Sequence, residues 1–208
     1  AMTTASGGRS AKGEQRQAAI VAAAAELVVE TGFGALSHRA VARRAGVPLA
    51  STTYYFSSLE ELVDLAMAQL AERWREAAAA ALARAPQLLR GPHQLADAAL
   101  DVVALAPGGT GTSTEGVLVL YERYLEAARH PRLRAQVVAH DAALDRLVHE
   151  LLARAGLPAS LTLARVVVAT VDGALVRALA ESGDLAEARR TVRALAGRLL
   201  GEAPAGTG

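Results

Sequence analysis

Ser37-His38-Arg39-Ala40-Val41-Ala42-Arg43-Arg44-Ala45-Gly46-Val47-Pro48-Leu49-Ala50-Ser51-Thr52-Thr53-Tyr54-Tyr55-Phe56 decides how the chain is read. Ser37 is a strong N-cap residue and predicts a short helix to about Ala45. Gly46-Val47-Pro48 makes a tight turn, and a second short helix is predicted over about Leu49–Tyr55. Two short helices joined by a glycine-containing turn are the geometry of a helix-turn-helix. In that arrangement the second helix enters the major groove of DNA and the first crosses the backbone. Here the second helix carries hydroxyls at Ser51, Thr52 and Thr53 and aromatic rings at Tyr54, Tyr55 and Phe56. A helix facing phosphates and base edges can use them, because hydroxyls bond to either and apolar faces meet thymine methyls. Phe56 is expected in the core of a small three-helix unit. Tyr54 and Tyr55 are expected on its outside, with wedging of that core as the alternative.

Working outward, Asp and Glu are absent from Gly32 through Leu59, whereas Arg39, Arg43 and Arg44 lie within that stretch. Residues 1–57 hold six basic and three acidic side chains, and the remainder holds 16 basic and 18 acidic. The net charge of +1 therefore hides a basic N-terminal unit on a mildly acidic body. For Arg43 and Arg44 a solvated helix face and DNA contact both stand open.

The rest of the chain reads as helix. Residues 1–12 are small and polar and are expected to form a flexible arm, with a tail over 201–208. A first helix is predicted over about Gly13–Thr31, with Ile20, Ala23, Ala24 and Leu27 on one face. Ser57 and Ser58 each stand three residues before a glutamate, so either pair, with Glu60 or Glu61, forms a capping box for a long fourth helix to about Arg84. Gly91-Pro92 starts a fifth helix, which ends at Pro107-Gly108-Gly109. Thr112 and Glu115 form a capping box for a sixth, ending near His130-Pro131. Helices over about Pro131–Ala155 and Ala159–Ser182 follow, and Asp184 with Glu187 caps a last one ending near Leu200. The fold class is all-α, about nine helices, divided into a helix-turn-helix domain at 13–57 and a helical body at 58–200. With 49 alanines and seven aromatic residues, those helices are expected to pack closely through small side chains.

Other classes are excluded on composition. With no cysteine there is no disulfide scaffold, iron–sulfur centre or cysteine zinc site. The most apolar window, Leu161 to Ala180, contains Arg165, Asp172 and Arg177, which argues against a membrane span. Ala1 before Met2 reads as a cloning remnant, and no basic-then-apolar leader opens the chain. Gly108-Gly109-Thr110-Gly111 lacks the preceding strand and the lysine of a phosphate loop, so it reads as a connector. Asp145 and His149 form an isolated i, i+4 pair, too sparse for a metal site. No enzyme, metal or cofactor is expected.

In the body, Leu133, Val137, His140, Leu144, Leu147 and Leu151 recur at helical spacing. Leu161, Ala164, Val168, Val171, Leu175 and Ala178 do the same on the next helix, with Val166, Val167 and Leu179 off that stripe. Helices apolar on more than one side are covered from more than one side, by their own subunit and by a twin or by a central position in a monomer. The helices 131–155 and 159–182 are therefore the expected homodimer face, with Ala164, Gly173 and Ala174 letting backbones approach. Trp74, Tyr121 and Tyr124 are the natural walls of a ligand pocket. Asp97 and Asp101, four apart on one helix, are unfavourable unless one meets a cation, a polar ligand or water. Asp101 and His140, which interrupts an apolar stripe, complete the ligand candidates.

The segment from Ser37 to Phe56, continued by Ser57-Ser58-Leu59-Glu60-Glu61-Leu62, resembles the DNA-binding signature of the TetR family of bacterial transcriptional repressors. The likeness covers about 50 residues. Glu126-Ala127-Ala128-Arg129-His130-Pro131-Arg132-Leu133-Arg134 and Asp172-Gly173 resemble that family's C-terminal helices more loosely. The resemblance implies a cytoplasmic, homodimeric, all-helical regulator whose two heads grip successive major grooves of a palindromic operator in double-stranded DNA. It also implies a small-molecule effector in the body that resets the separation of the heads. It places Arg39, Leu49, Ala50, Ser51, Thr53 and Tyr54 at base edges, and Ser37, His38 and Tyr55 at phosphates. Three departures stand out: Ala50 for a common glycine, Thr53 for a common tyrosine whose role Tyr54 takes in part, and Leu59 for a frequent phosphate-binding lysine. The alternatives are a helical protein-interaction module and a ligand-independent DNA-binding protein.

Overall fold

The structure, a computed structural model, describes residues 11–104, 113–158 and 160–201. Of the arm expected over 1–12, residues 1–10 lie outside them and Ala11-Lys12 are helical; the Gly108–Gly111 connector, Thr112 and, of the tail expected over 201–208, residues 202–208 also lie outside. Among the described residues there are nine α-helices and no strand: α1 (Ala11–Thr31), α2 (His38–Ala45), α3 (Leu49–Tyr55), α4 (Leu59–Arg84), α5 (Gly91–Ala104), α6 (Thr114–Arg129), α7 (Arg134–Arg154), α8 (Leu161–Glu181) and α9 (Leu185–Leu199). Short 3-10 turns over Phe33–Ala35 and Pro131–Leu133 precede α2 and α7. The chain forms two compact units that divide between Leu70 and Ala71, within α4.

The caps carry most of the boundaries. Ser37 accepts the Ala40 amide at 3.2 Å, Ser160 the Leu163 amide at 3.1 Å and Asp184 the Ala186 amide at 2.8 Å. Of the two boxes open at the start of α4, Ser58–Glu61 forms. Ser58 Oγ accepts the Glu61 amide at 3.1 Å, and Glu61 reaches back to the Ser57 amide and hydroxyl, each at 2.8 Å. At α6 the cap is Ser113, which accepts the Gly116 amide at 3.1 Å, one residue later than Thr112. Helix α1 begins at Ala11, two residues before the expected start, because nothing in Ala11-Lys12 breaks a helix.

In the first unit Ile20, Ala24 and Val28 of α1 are fully buried, as are Val41, Thr52, Phe56 and Leu62. The buried face of α1 closes on Val28, leaving Leu27 half-buried. In the second unit the core mixes leucines and valines with many alanines, among them Ala78, Ala96, Ala99, Ala164, Ala178 and Ala188. Arg154 of α7 donates to the carbonyls of Leu82 and Ala85 at 2.8 and 3.1 Å, satisfying the C-terminal end of α4. Asp97 of α5 accepts from Arg189 of α9 at 2.5 Å and lies 3.4 Å from Arg193. The aspartate pair on α5 is thus resolved by two cations on one of its members.

The apolar stripes of α7 and α8 face their own subunit. Leu133, Leu144, Leu151, Ala164, Val171, Leu175 and Ala178 are buried within the single chain. Ala164 and Ala174 are used up in that packing, and only Gly173 of the three expected small contacts is exposed. What remains uncovered on α8 is Leu161, Val166 and Val176, with Val138 exposed on α7. No helix among the described residues is long and apolar enough to cross a membrane.

Candidate DNA interface and effector cleft

The turn between α2 and α3 is set by one backbone conformation. Gly46 adopts φ +64°, which costs L-residues bearing a Cβ about 1–2 kcal/mol. That turn lets Val47 N–H reach the Ala42 carbonyl at 3.0 Å and Gly46 N–H reach that of Arg43 at 3.4 Å, the paired bonds of a Schellman motif. Pro48 follows and α3 begins at Leu49.

Helix α3 has a sharply divided surface. Phe56, 1 % exposed, closes the core below it, and Tyr54, 82 % exposed, stands away from it. Leu49, Ala50 and Thr53 are exposed, and Ser51 and Tyr55 are half-buried. The Tyr54 and Tyr55 rings meet edge to face with centroids 5.1 Å apart. One of the three consecutive hydroxyls turns the other way. Thr52 is fully buried, donating its Oγ1 proton to the Leu49 carbonyl at 2.8 Å, because its position on the helix faces the core. On α2, Arg39 is exposed and His38 half-buried, and the Ser37 hydroxyl oxygen is occupied by its cap. The two open arginines part company. Arg44 is bound by both terminal nitrogens to Glu30 of α1 and lies 3.4 Å from Glu26, whereas Arg43 is exposed. The bond from Arg44 holds the Glu30 carboxyl below its ordinary range. The outward surface of α2 and α3 therefore offers a cation, hydroxyls, an aliphatic side chain and a phenol, with no carboxylate within it.

The second unit brings four of the five ligand candidates together. Trp74 of α4, Tyr121 and Tyr124 of α6 and His140 of α7 surround a residue that sequence reasoning passed over, Arg123. Arg123 is 0 % exposed, with its guanidinium 5.2 Å from the Trp74 ring centroid and 5.1 Å from that of Tyr124. Among the described residues, neither its Nε nor its Nη1 and Nη2 atoms have a well-formed hydrogen bond. Burial pushes the guanidinium pKa down. Tyr121 and Tyr124 stack with centroids 6.1 Å apart. Tyr121 donates to Asp172 at 2.8 Å and Tyr124 to Asp141 at 2.7 Å. His140 is buried, and neither ring nitrogen has a partner among the described residues. Burial, then Arg123 and Arg75, lower its pKa to about 3 and keep it neutral. It is a core histidine of its own subunit, without the hydrogen bonds expected of one at an interface.

Burial also raises both carboxyls against their tyrosine bonds, Asp172 to about 6 and Asp141 above its ordinary value. The two line a cleft of about 460 Å³ between α6, α7 and α8, with Tyr124, Val138, Val168 and Ala169 among its walls and the Asp145–Arg165 pair, 3.0 Å apart, at its edge. That volume falls in the range of small-molecule sites. Asp101 stands apart from this group, in a separate polar cleft of about 230 Å³ with Arg84, Gln94 and Asp97. The spacing of α6 could have shown Arg123, since Gly116, Leu120, Arg123 and Ala127 fall on one buried face.

A helix-turn-helix head with an acid-free outer surface, followed by an all-helical body whose acidic cleft has the Tyr124 ring in its wall and the Arg123 cluster buried beside it, defines a DNA-binding regulator. Residues 20–66 match the bacterial regulatory proteins of the tetR family, and residues 90–202 match the tetracyclin repressor-like C-terminal domain. The chain belongs to the TetR family of bacterial regulatory proteins and is a transcriptional regulator. Its fold is similar to that of the multidrug binding protein EbrR complexed with proflavin (33% identity, 88% of this chain and 99% of that one, TM-score 0.67). EbrR complexed with ethidium matches at 32% identity over 88% and 98% of the two chains, with a TM-score of 0.64. A TetR-family member of Streptomyces coelicolor A3, SCO1917, matches at 32% identity over 89% and 98%, with a TM-score of 0.61. Comparison with curated proteins gives no match.

Proposed function

We propose that the protein is a cytoplasmic, homodimeric repressor that binds a palindromic operator and leaves it when a planar aromatic cation enters the α6–α7–α8 cleft. The outward surface of α3 carries this reading. Leu49, Ala50, Thr53 and Tyr54 are exposed on a helix about 10 Å long, which fits a major groove about 12 Å wide. Arg39, Ser51 and Tyr55 flank those groups, and Ser37 and His38 lie at the start of α2, where the chain meets phosphates. The uncovered side chains of α8, Leu161, Val166 and Val176, support a twofold partner there. No reaction is assigned to the chain.

The effector class is supported by Asp141 and Asp172. Two carboxylates half-removed from water beside aromatic rings favour a delocalised cation over a neutral or anionic ligand. EbrR, the relative crystallised with proflavin and with ethidium, points the same way. Occupancy lifts repression to the extent that the cation binds the DNA-free conformer more tightly.

The test is selection of bound duplexes from a random pool, followed by titration of the selected duplex complex with ethidium. A palindromic motif and release by ethidium are expected. Because ethidium intercalates, release must vanish in Asp172→Asn while DNA binding persists. Selection of no motif, or equal release from both proteins, overturns the proposal.

A further inference from the structure

A buried arginine ordinarily directs its five N–H groups to carboxylates or carbonyls, since an unpaired charge in the interior is costly. Arg123 does not. Among the described residues its three guanidinium nitrogens make no well-formed hydrogen bond, Tyr124 being the one side chain close enough to act as a polar neighbour, and the two nearby carboxyls accept instead from Tyr121 and Tyr124. What holds the guanidinium is the pair of ring contacts at 5.2 and 5.1 Å, together with the charge of Asp141 and Asp172. Aromatic faces backed by carboxylates are also how a protein grips a flat organic cation. The side chain is planar, delocalised and weakly hydrated, so it imitates such a ligand.

We infer that Arg123 is the resident cation of the effector site, a tethered occupant that a planar aromatic cation displaces from Trp74 and Tyr124 on binding. The inference rests on the reading of the cleft as a cation site. It makes Arg123 a specificity-determining residue. A ligand must outcompete a guanidinium that is always present, so weak or non-planar cations are rejected, and Asp141 with Asp172 would carry excess negative charge if Arg123 were absent. Leaving the rings also brings Arg123 towards solvent, which ties occupancy to a rearrangement of α6.

Ethidium binding to the full-length protein without DNA tests this, read by quenching of Trp74, the sole tryptophan. Arg123→Met keeps the length and removes the charge, and is expected to bind ethidium at least about tenfold more tightly, the factor of one desolvated cation–π contact. Equal or weaker binding by the variant overturns the role of Arg123 and leaves the cation site standing. Failure of both proteins to bind overturns the cation site and this inference with it. Should wild type bind 2-naphthoate and the variant not, Arg123 is an anchor for anions and the inference falls.

If Arg123→Met does not fold, a measurement on wild type takes its place. Arg123 should resist modification by phenylglyoxal in the free protein and become reactive, by peptide mass, once ethidium is bound. Continued protection at saturating ethidium overturns displacement.

Discussion

Asp172→Asn should stabilise the body of this regulator while removing its cation affinity. The carboxyl has a pKa of about 6 in the fold against an ordinary 3.8, raised chiefly by burial. The difference of about two units corresponds to about 3 kcal/mol of native-state destabilisation when the group is ionised. Because the folded-state pKa lies above the unfolded one, that cost is absent below about pH 4 and complete above about pH 6. The attraction of Arg123 is already contained in this net shift. Asparagine keeps an oxygen to accept from Tyr121 but loses the charge assistance of that bond, a loss of about 1 kcal/mol. The variant is therefore expected to gain about 2 kcal/mol at pH 7.5, with the ionisation part falling by about half at pH 5. Urea unfolding at fixed protein concentration, followed by circular dichroism at both pH values, reads it. A variant no more stable than wild type at pH 7.5, or one stabilised equally at both pH values, refutes the reasoning.

Arg39→Ala is expected to weaken binding to the selected operator by about 1–3 kcal/mol with little change on random duplex, measured by anisotropy, if Arg39 reads a base. Leu59→Lys restores a cation at the first residue of α4 and should steepen the slope of log K against log salt by about 0.9 per phosphate newly neutralised. Phe56→Ala should cost the first unit about 3–5 kcal/mol by leaving a cavity at a 1 % exposed site, seen as a lowered urea midpoint. Val166→Glu places a charge on the uncovered, 51 % exposed position of α8 and should shift sedimentation at micromolar concentration from dimer to monomer.

The fold was legible because its punctuation is local. Ser37, Gly46, Pro48, Ser58, Ser160 and Asp184 act on amides and carbonyls within a few residues, so α2, α3 and α9 begin where the sequence predicts. Outward Tyr54 follows from helical spacing in the same way, whereas Phe56 turns inward from the extended residue that ends α3. Thr52 was harder, since a buried threonine and an exposed one look alike until its Oγ1 finds the Leu49 carbonyl. The body's site was legible only in part. Trp74, Tyr121 and Tyr124 announce themselves by size in an alanine-rich chain. Asp101 and the pair of Asp141 and Asp172 are equally acidic in sequence, and only long-range packing sends the second pair to the tyrosines. Arg123 reads as a solvated arginine unless its neighbours on the buried face of α6 are counted first.

The alanine contacts in the core of the body have a mechanical consequence. Alanine has no rotamers to exchange, so where helices touch through Ala78, Ala96, Ala99, Ala164 and Ala178 the packing cannot adjust to a guest in the neighbouring cleft by side-chain repacking. Room must be made by shifting entire rods of backbone, which converts a local intrusion into displacement at the distant ends of those rods.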